Sequence, residues 1–153
     1  MSEQTKKVAI VTYNRVGEGQ YPNGVVKGEN IEIYFAQNGH KSKWTASSEC
    51  SDEIKERARR NTARAVTDSV GLKEMNHTFL YVGNSGGEEA IRLTAELPSE
   101  KITYVMCGCN SSYKMSLIYS CGRVNPNVIG CECGGRETLE DIATELLSGR
   151  RTI

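Results

Sequence analysis

The period of the apolar positions changes along the chain, and each change marks an element. Lys7 to Tyr13 is a short, unbroken run rich in β-branched residues (Val8, Ile10, Val11, Thr12). Such a run predicts a strand buried on both faces, in the middle of a sheet. From Asn14 to Glu29 the helix breakers Gly17, Gly19, Pro22, Gly24 and Gly28 predict a loop in place of the crossover helix that ordinarily follows a first parallel strand. Ile31 to Ala36 alternates, and Gln37-Asn38-Gly39-His40 then leads into Lys41 to Thr45. Asn-Gly between two such runs predicts an antiparallel hairpin appended to the main sheet.

From Ser51 to Val70 the period lengthens. Ile54, Ala58, Thr62, Ala65, Val66 and Ser69 recur at three- and four-residue steps, with Asp52 and Glu53 in the first turn and Gly71 past the end. This predicts a helix of about five turns. Strand and helix patterns then alternate: a strand over His77–Gly83, a helix over Gly86–Leu97 stopped by Pro98, and a strand over Lys101–Cys107. A short helix over Ser111–Cys121 closed by Gly122, a strand over Asn127–Cys131 and a helix over Thr138–Ser148 complete the series. The last helix puts Leu139, Ile142, Ala143, Leu146 and Leu147 on one face. Alternation at this spacing implies parallel βαβ units. The expected architecture is a single α/β domain over residues 1–153. It is a three-layer Rossmann-like or flavodoxin-like sandwich, with a parallel core of about four strands plus the hairpin.

Composition narrows the function classes. The chain has 153 residues, 38 % of them apolar and 25 % charged, which suits one globular core and excludes disorder, collagen and coiled coil. Lys and Arg number 19 against 19 Asp and Glu, so no net field steers the protein to nucleic acid or to an anionic membrane. No stretch reaches the ~20 apolar residues of a membrane span, and the start of the sequence has no signal-peptide pattern. The expectation is a cytoplasmic protein, whose six cysteines are thiols, metal ligands or a nucleophile rather than a disulfide framework.

Ligands of open parallel sheets bind outside the carboxyl ends of the strands. Three loops there are built of small residues: Gly83-Asn84-Ser85-Gly86-Gly87, Cys107-Gly108-Cys109-Asn110-Ser111-Ser112, and Cys131-Glu132-Cys133-Gly134-Gly135-Arg136. Small side chains let a ligand reach the backbone and the N–H groups that open the following helices. Tyr13 and Asn14, ending the first strand, belong to the same rim. In the first loop Ser85 and Glu88 form a capping box, which leaves the three glycines unexplained. The alternative is a cradle for a phosphate or carboxylate with Asn84 as a polar partner, although the P-loop Lys is missing and Glu88 and Glu89 oppose a strongly anionic group. Binding residues are therefore expected among Tyr13, Asn14, Gly83, Asn84, Ser85, Gly86, Gly87, Asn110, Ser111, Ser112, Gly134, Gly135 and Arg136, with the ligand's identity open.

Five of the six cysteines lie between positions 107 and 133. As small apolar residues they suit a core, which best fits Cys50 and Cys121, the latter on one helix face with Met115 and Ile118. As zinc ligands the C-G-C and C-E-C pairs fit poorly. Residues i and i+2 of a strand lie about 6.6 Å apart, whereas thiolates on one zinc are ~3.8 Å apart. As a nucleophile, Cys109 or Cys107 would gain from a helix N-terminus that lowers its pKa. Cys109-Asn110-Ser111-Ser112 after the strand Ile102 to Met106 resembles the nucleophile turn of caspase-like cysteine peptidases, including CHAT-type domains. That resemblance, about ten residues long, implies a Cys-dependent hydrolase or transferase. The family's preceding strand ends in His-Gly, the general base, where this chain has Asn84-Ser85. His77 begins its strand, about 20 Å from the carboxyl edge, and His40 falls in the predicted hairpin turn.

Two further groups have simpler readings. Arg57, Arg60 and Arg64 form a basic stripe, but Glu53 and Glu56 stand four residues before Arg57 and Arg60, so intrahelical pairing accounts for it better than nucleic acid does. Tyr21, Tyr34, Tyr113 and Trp44 suit a pocket lid at the carboxyl edge or a contact between protomers. The leading expectation is a sensor, carrier or sequestering protein for a small polar, nucleotide-like molecule. The Cys-dependent enzyme and a metal-binding protein are the alternatives.

Overall fold

Strand β1 (Lys6–Tyr13) is buried on both sides, as its unbroken apolar run requires: Val8, Ala9, Ile10 and Val11 are all inaccessible to solvent. The computed structural model describes residues 5–13, 24–37, 71–82, 88–108, 111–131 and 136–153. Around β1 it places β2 (Gly24–Lys27), β3 (Ile31–Gln37), β4 (His77–Val82), β5 (Ile102–Cys107) and β6 (Asn127–Cys131) in one sheet of order β2-β3-β1-β4-β5-β6. All neighbours run parallel except β2 and β3. The five parallel strands, taken in chain order, lie 2-1-3-4-5, the flavodoxin-like arrangement.

Helices α1 (Glu88–Leu93), α2 (Ser111–Ser120) and α3 (Arg136–Ser148) cover the sheet. Ala9, Val11, Leu80, Val82, Tyr104 and Met106 face one core, closed by Ala90 and Ile91 of α1 and Ile118 of α2. Their strand neighbours Val8, Ile10, Phe79, Tyr81 and Val105 face the other, closed by Leu139, Ile142, Ala143 and Leu146 of α3. Cys121 packs beside Met115 on the first core.

Four expectations change. Gly24–Lys27 is a strand, not loop. It supplies the antiparallel partner of β3, so a hairpin precedes β3 and turns at Gly28; the predicted Asn38-Gly39 turn lies outside the described residues. The predicted strand Lys41 to Thr45 and the helix over Ser51 to Val70 lie outside the described residues. The parallel core has five strands, because β3 pairs with β1. The second predicted helix is shorter, since Glu88–Leu93 gives way to turns up to Leu97. Leu147 is 41 % exposed and outside the core. It reaches toward the β2–β3 turn, where a Cβ on Gly28 would come within 3.0 Å of its Cδ2 and 2.9 Å of Ile31 Cγ2, a close approach that glycine accommodates.

A Schellman turn ends α2: the Arg123 N–H binds Ile118 O at 3.4 Å and the Gly122 N–H binds Tyr119 O at 3.0 Å, with Gly122 at φ 93°. That turn aims Arg123 back beneath the end of α1. There its guanidinium, buried, donates to Thr94 O at 2.6 Å, to Leu97 O, to Ser99 Oγ at 3.4 Å and to Tyr104 Oη at 3.2 Å. One side chain thus ties down two carbonyls of the turns that follow α1, Thr94 O, which also accepts the Leu97 N–H at 3.0 Å, and Leu97 O.

His77 opens β4 opposite Val8, at the amino edge, as its position in the strand predicts. Its Nε2 lies 2.7 Å from Thr103 Oγ1 and its ring is 4.9 Å from that of Phe79. Burial pushes the imidazole below its ordinary value of 6.5, partly opposed by a hydrogen bond with the Glu100 backbone. A depressed imidazole pKa means that the unfolded chain takes up the proton first. Stability is therefore level above about pH 6.5, declines as pH falls from there toward the folded-state value, and flattens below it. Urea denaturation between pH 8 and 5 should show this decline, and His77→Gln should flatten it. Identical slopes in both proteins would refute the assignment.

Candidate functional site

The strand ends are level at the carboxyl edge. Tyr13 is opposite Val82, Val82 opposite Met106, and Cys107 opposite Cys131. From β1 the chain leaves toward β2 and β3, on one side. From β4 it leaves toward β5 and β6, on the other. The boundary between β1 and β4 is thus the topological switch point, the position at which open parallel sheets take their ligands.

The expected binding residues distribute around it as follows. Tyr13 ends β1 at the switch point itself. Cys107 ends β5, with Gly108 exposed immediately after it. Ser111 and Arg136 are the first residues of α2 and α3, and Ser112 is exposed on the first turn of α2. Asn14, Gly83, Asn84, Ser85, Gly86, Gly87, Cys109, Asn110, Gly134 and Gly135 lie outside the described residues. So do Cys133 and His40, which leaves the C-G-C/C-E-C metal reading and the Cys109 turn without a described geometry. Among the described residues no group of three or more His, Cys, Asp or Glu could hold a metal ion.

The most distinctive charge at this edge was not anticipated. Lys114, in the second turn of α2, is 1 % exposed, and its Nζ donates to Glu88 Oε1 at 2.8 Å. Glu88 joins the first turn of α1 to α2, and its side chain is 31 % exposed; the capping box expected with Ser85 lies outside the described residues. A lysine is almost never buried without a partner, and this one has a short charge-assisted bond. The signal was present in the sequence. Lys114 stands four residues before the buried Ile118 and seven before Cys121, a polar residue in the helix's apolar stripe.

The proposed aromatic lid separates. Tyr113 is 56 % exposed beside this pair, its ring centroid 5.9 Å from Lys114 Nζ. Tyr34 is not at the carboxyl edge: it pairs with Ala9 in mid-strand, packs on the first core and donates from its hydroxyl to Glu32 Oε1 at 3.3 Å. Tyr21 and Trp44 lie outside the described residues.

A cleft of about 680 Å³ opens at the other end of the molecule, the amino edge, lined by residues including Lys6, Asn30, Asn76, Leu146 and Arg151. Three of its polar side chains are already engaged. Lys6 Nζ donates to Ile153 O at 3.4 Å, Asn76 Oδ1 accepts the Lys7 N–H at 2.8 Å, and Arg151 pairs with Glu145 at 2.9 Å.

No protein-family model matches the chain, and no curated protein matches it. The chain is similar to a solved structure, the cytosolic domain of the T. maritima FeoB iron transporter in its apo form. The sequences are 15 % identical, the TM-score is 0.42, and the match covers 97 % of this chain and 65 % of that one. The chain therefore spans just under two thirds of that protein's length, and a likeness at this level carries no argument about function. Among the described residues no helix is long and apolar enough to cross a membrane.

Proposed function

We propose that this chain binds a small polar, nucleotide-like molecule at the carboxyl edge of its sheet and acts as a sensor, carrier or sequestering protein. The supporting observation is the switch point between β1 and β4, flanked by Tyr13 and by the Gly83–Gly87 segment that follows β4. Connections that diverge at such a point favour a crevice, and glycine-rich segments would let a ligand bind to backbone groups.

Native mass spectrometry of the protein taken directly from cells tests this reading. A retained adduct in the mass range of a nucleoside or nucleotide is expected, released on denaturation. A bare polypeptide mass under gentle desolvation, unchanged after incubation with cell metabolite extract, would count against it.

A further inference from the structure

We infer that β6 is an interaction edge that pairs with the β6 of a second copy of this chain, antiparallel about a twofold axis through Ile129, joining two sheets into one. Among the described residues no strand lies beyond β6 in the order β2-β3-β1-β4-β5-β6. Helix α3, which follows it, packs over the middle of the sheet against Val8, Ile10, Phe79 and Tyr81, and Leu147 near its end reaches the β2–β3 turn. Asn127, Val128 and Gly130 are accordingly exposed and Ile129 and Cys131 half-buried, whereas every residue of β4 is buried. An edge strand offers a row of unpaired N–H and C=O groups, which natural sheets blunt with charge, proline or a bulge. Asn127-Val128-Ile129-Gly130-Cys131 carries no charged side chain and no proline, and its register with β5 is unbroken from Asn127 to Cys131.

The strand is complementary to itself, which identifies the occupant. Residues 128 and 130 share one face of the sheet. Val128 projects there, 40 % exposed, while Gly130 is an exposed notch: among the described residues no atom lies within 4 Å of the place its Cβ would take. A twofold through Ile129 sets each Val128 opposite the Gly130 of the other copy, so projection meets notch twice. Asn127 falls opposite Cys131, and no like charges meet. The other edge of the sheet is less suited. Directly opposed residues of antiparallel strands share a face, so the axis must pass through a residue. All five residues of β6 then find partners, whereas β2 has four residues, leaves at least one unpaired and ends in Lys27. The contact is small: five residues span about 17 Å. An interface below about 1,200 Å² is of the weak class, so a dissociation constant on the order of 100 μM is expected.

Sedimentation equilibrium of the full chain under reducing conditions, from about 10 μM to about 1 mM, tests the inference. The native chain should pass from monomer to dimer across that range. Val128→Lys and Val128→Glu, both at an exposed position, should each weaken association by about tenfold or more. An equimolar mixture of the two should recover it, because the twofold brings the two side chains to diagonal positions across the new strand pair. In ¹⁵N NMR spectra of the native chain over the same range, the concentration-dependent amide shifts should centre on residues 127–131. A native chain that stays monomeric throughout overturns the inference, as does assembly beyond the dimer, which a closed twofold does not allow. So do variants that dimerise as well as the native chain, and a mixture no tighter than either variant alone. Amide shifts centred on any other segment overturn it whether or not the variants fold.

Discussion

Replacing Glu88 by alanine should lower stability by about 3 kcal/mol, whereas Lys114→Met should cost only about 1 kcal/mol. The asymmetry follows from where each charge resides. Without Glu88, the Lys114 ammonium, 1 % exposed, loses its 2.8 Å carboxylate partner while staying buried. Without Lys114, the Glu88 carboxylate, 31 % exposed, rehydrates, and methionine refills the volume of the aliphatic stem. The Glu88→Ala, Lys114→Met double variant should therefore resemble Lys114→Met alone, a coupling of about 3 kcal/mol. Urea denaturation of the four proteins measures the cycle. Equal losses from both single variants, adding in the double, would show that the pair is held no more tightly than a surface ion pair.

The largest single loss is expected at Arg123. Arg123→Ala removes the donors to Thr94 O, Leu97 O and Tyr104 Oη, all in the buried corner between α1 and β5, and leaves Thr94 O with the Leu97 N–H alone. A loss of about 4 kcal/mol follows, or roughly 8–16 °C in Tm for a chain of this size. Arg123→Lys should recover less than half of it, because an ammonium cannot span two carbonyls and a phenol as the planar guanidinium does. Thermal unfolding by circular dichroism reads both variants. Full recovery by lysine would mean that charge alone, not the fork of donors, holds the corner.

Elements that carry their own punctuation were legible in the sequence. β6 begins just after Pro126 and ends at Cys131 as read, α2 stops where Gly122 allows a left-handed turn, and β1 shows its burial in an unbroken apolar run. β2 was hidden because Gly24–Lys27 is four residues with only two apolar side chains, too short for a period to show. Its strand character comes from pairing with β3, and the parallel pairing of β3 with β1 is equally non-local. The edge of the sheet that bears the candidate site followed from chain alternation alone, but the site's charged pair did not. Glu88 has its partner 26 residues later, and Lys114 resembled a surface lysine until Ile118 fixed the buried face of α2. Arg123 likewise follows a glycine in a polar turn, and its burial depends on carbonyls up to 29 residues away.

The central claim, a ligand at the carboxyl edge beside the β1/β4 boundary, meets its most direct test in hydrogen exchange. Exchange would be measured by mass spectrometry on the protein as isolated from cells and again after its ligand is stripped. The account predicts that stripping raises exchange in peptides covering Tyr13, residues 82–91 and residues 107–115, with no change at the amino edge. Protection confined to residues 5–7, 29–31, 76 and 146–153, the walls of the opposite cleft, would contradict it.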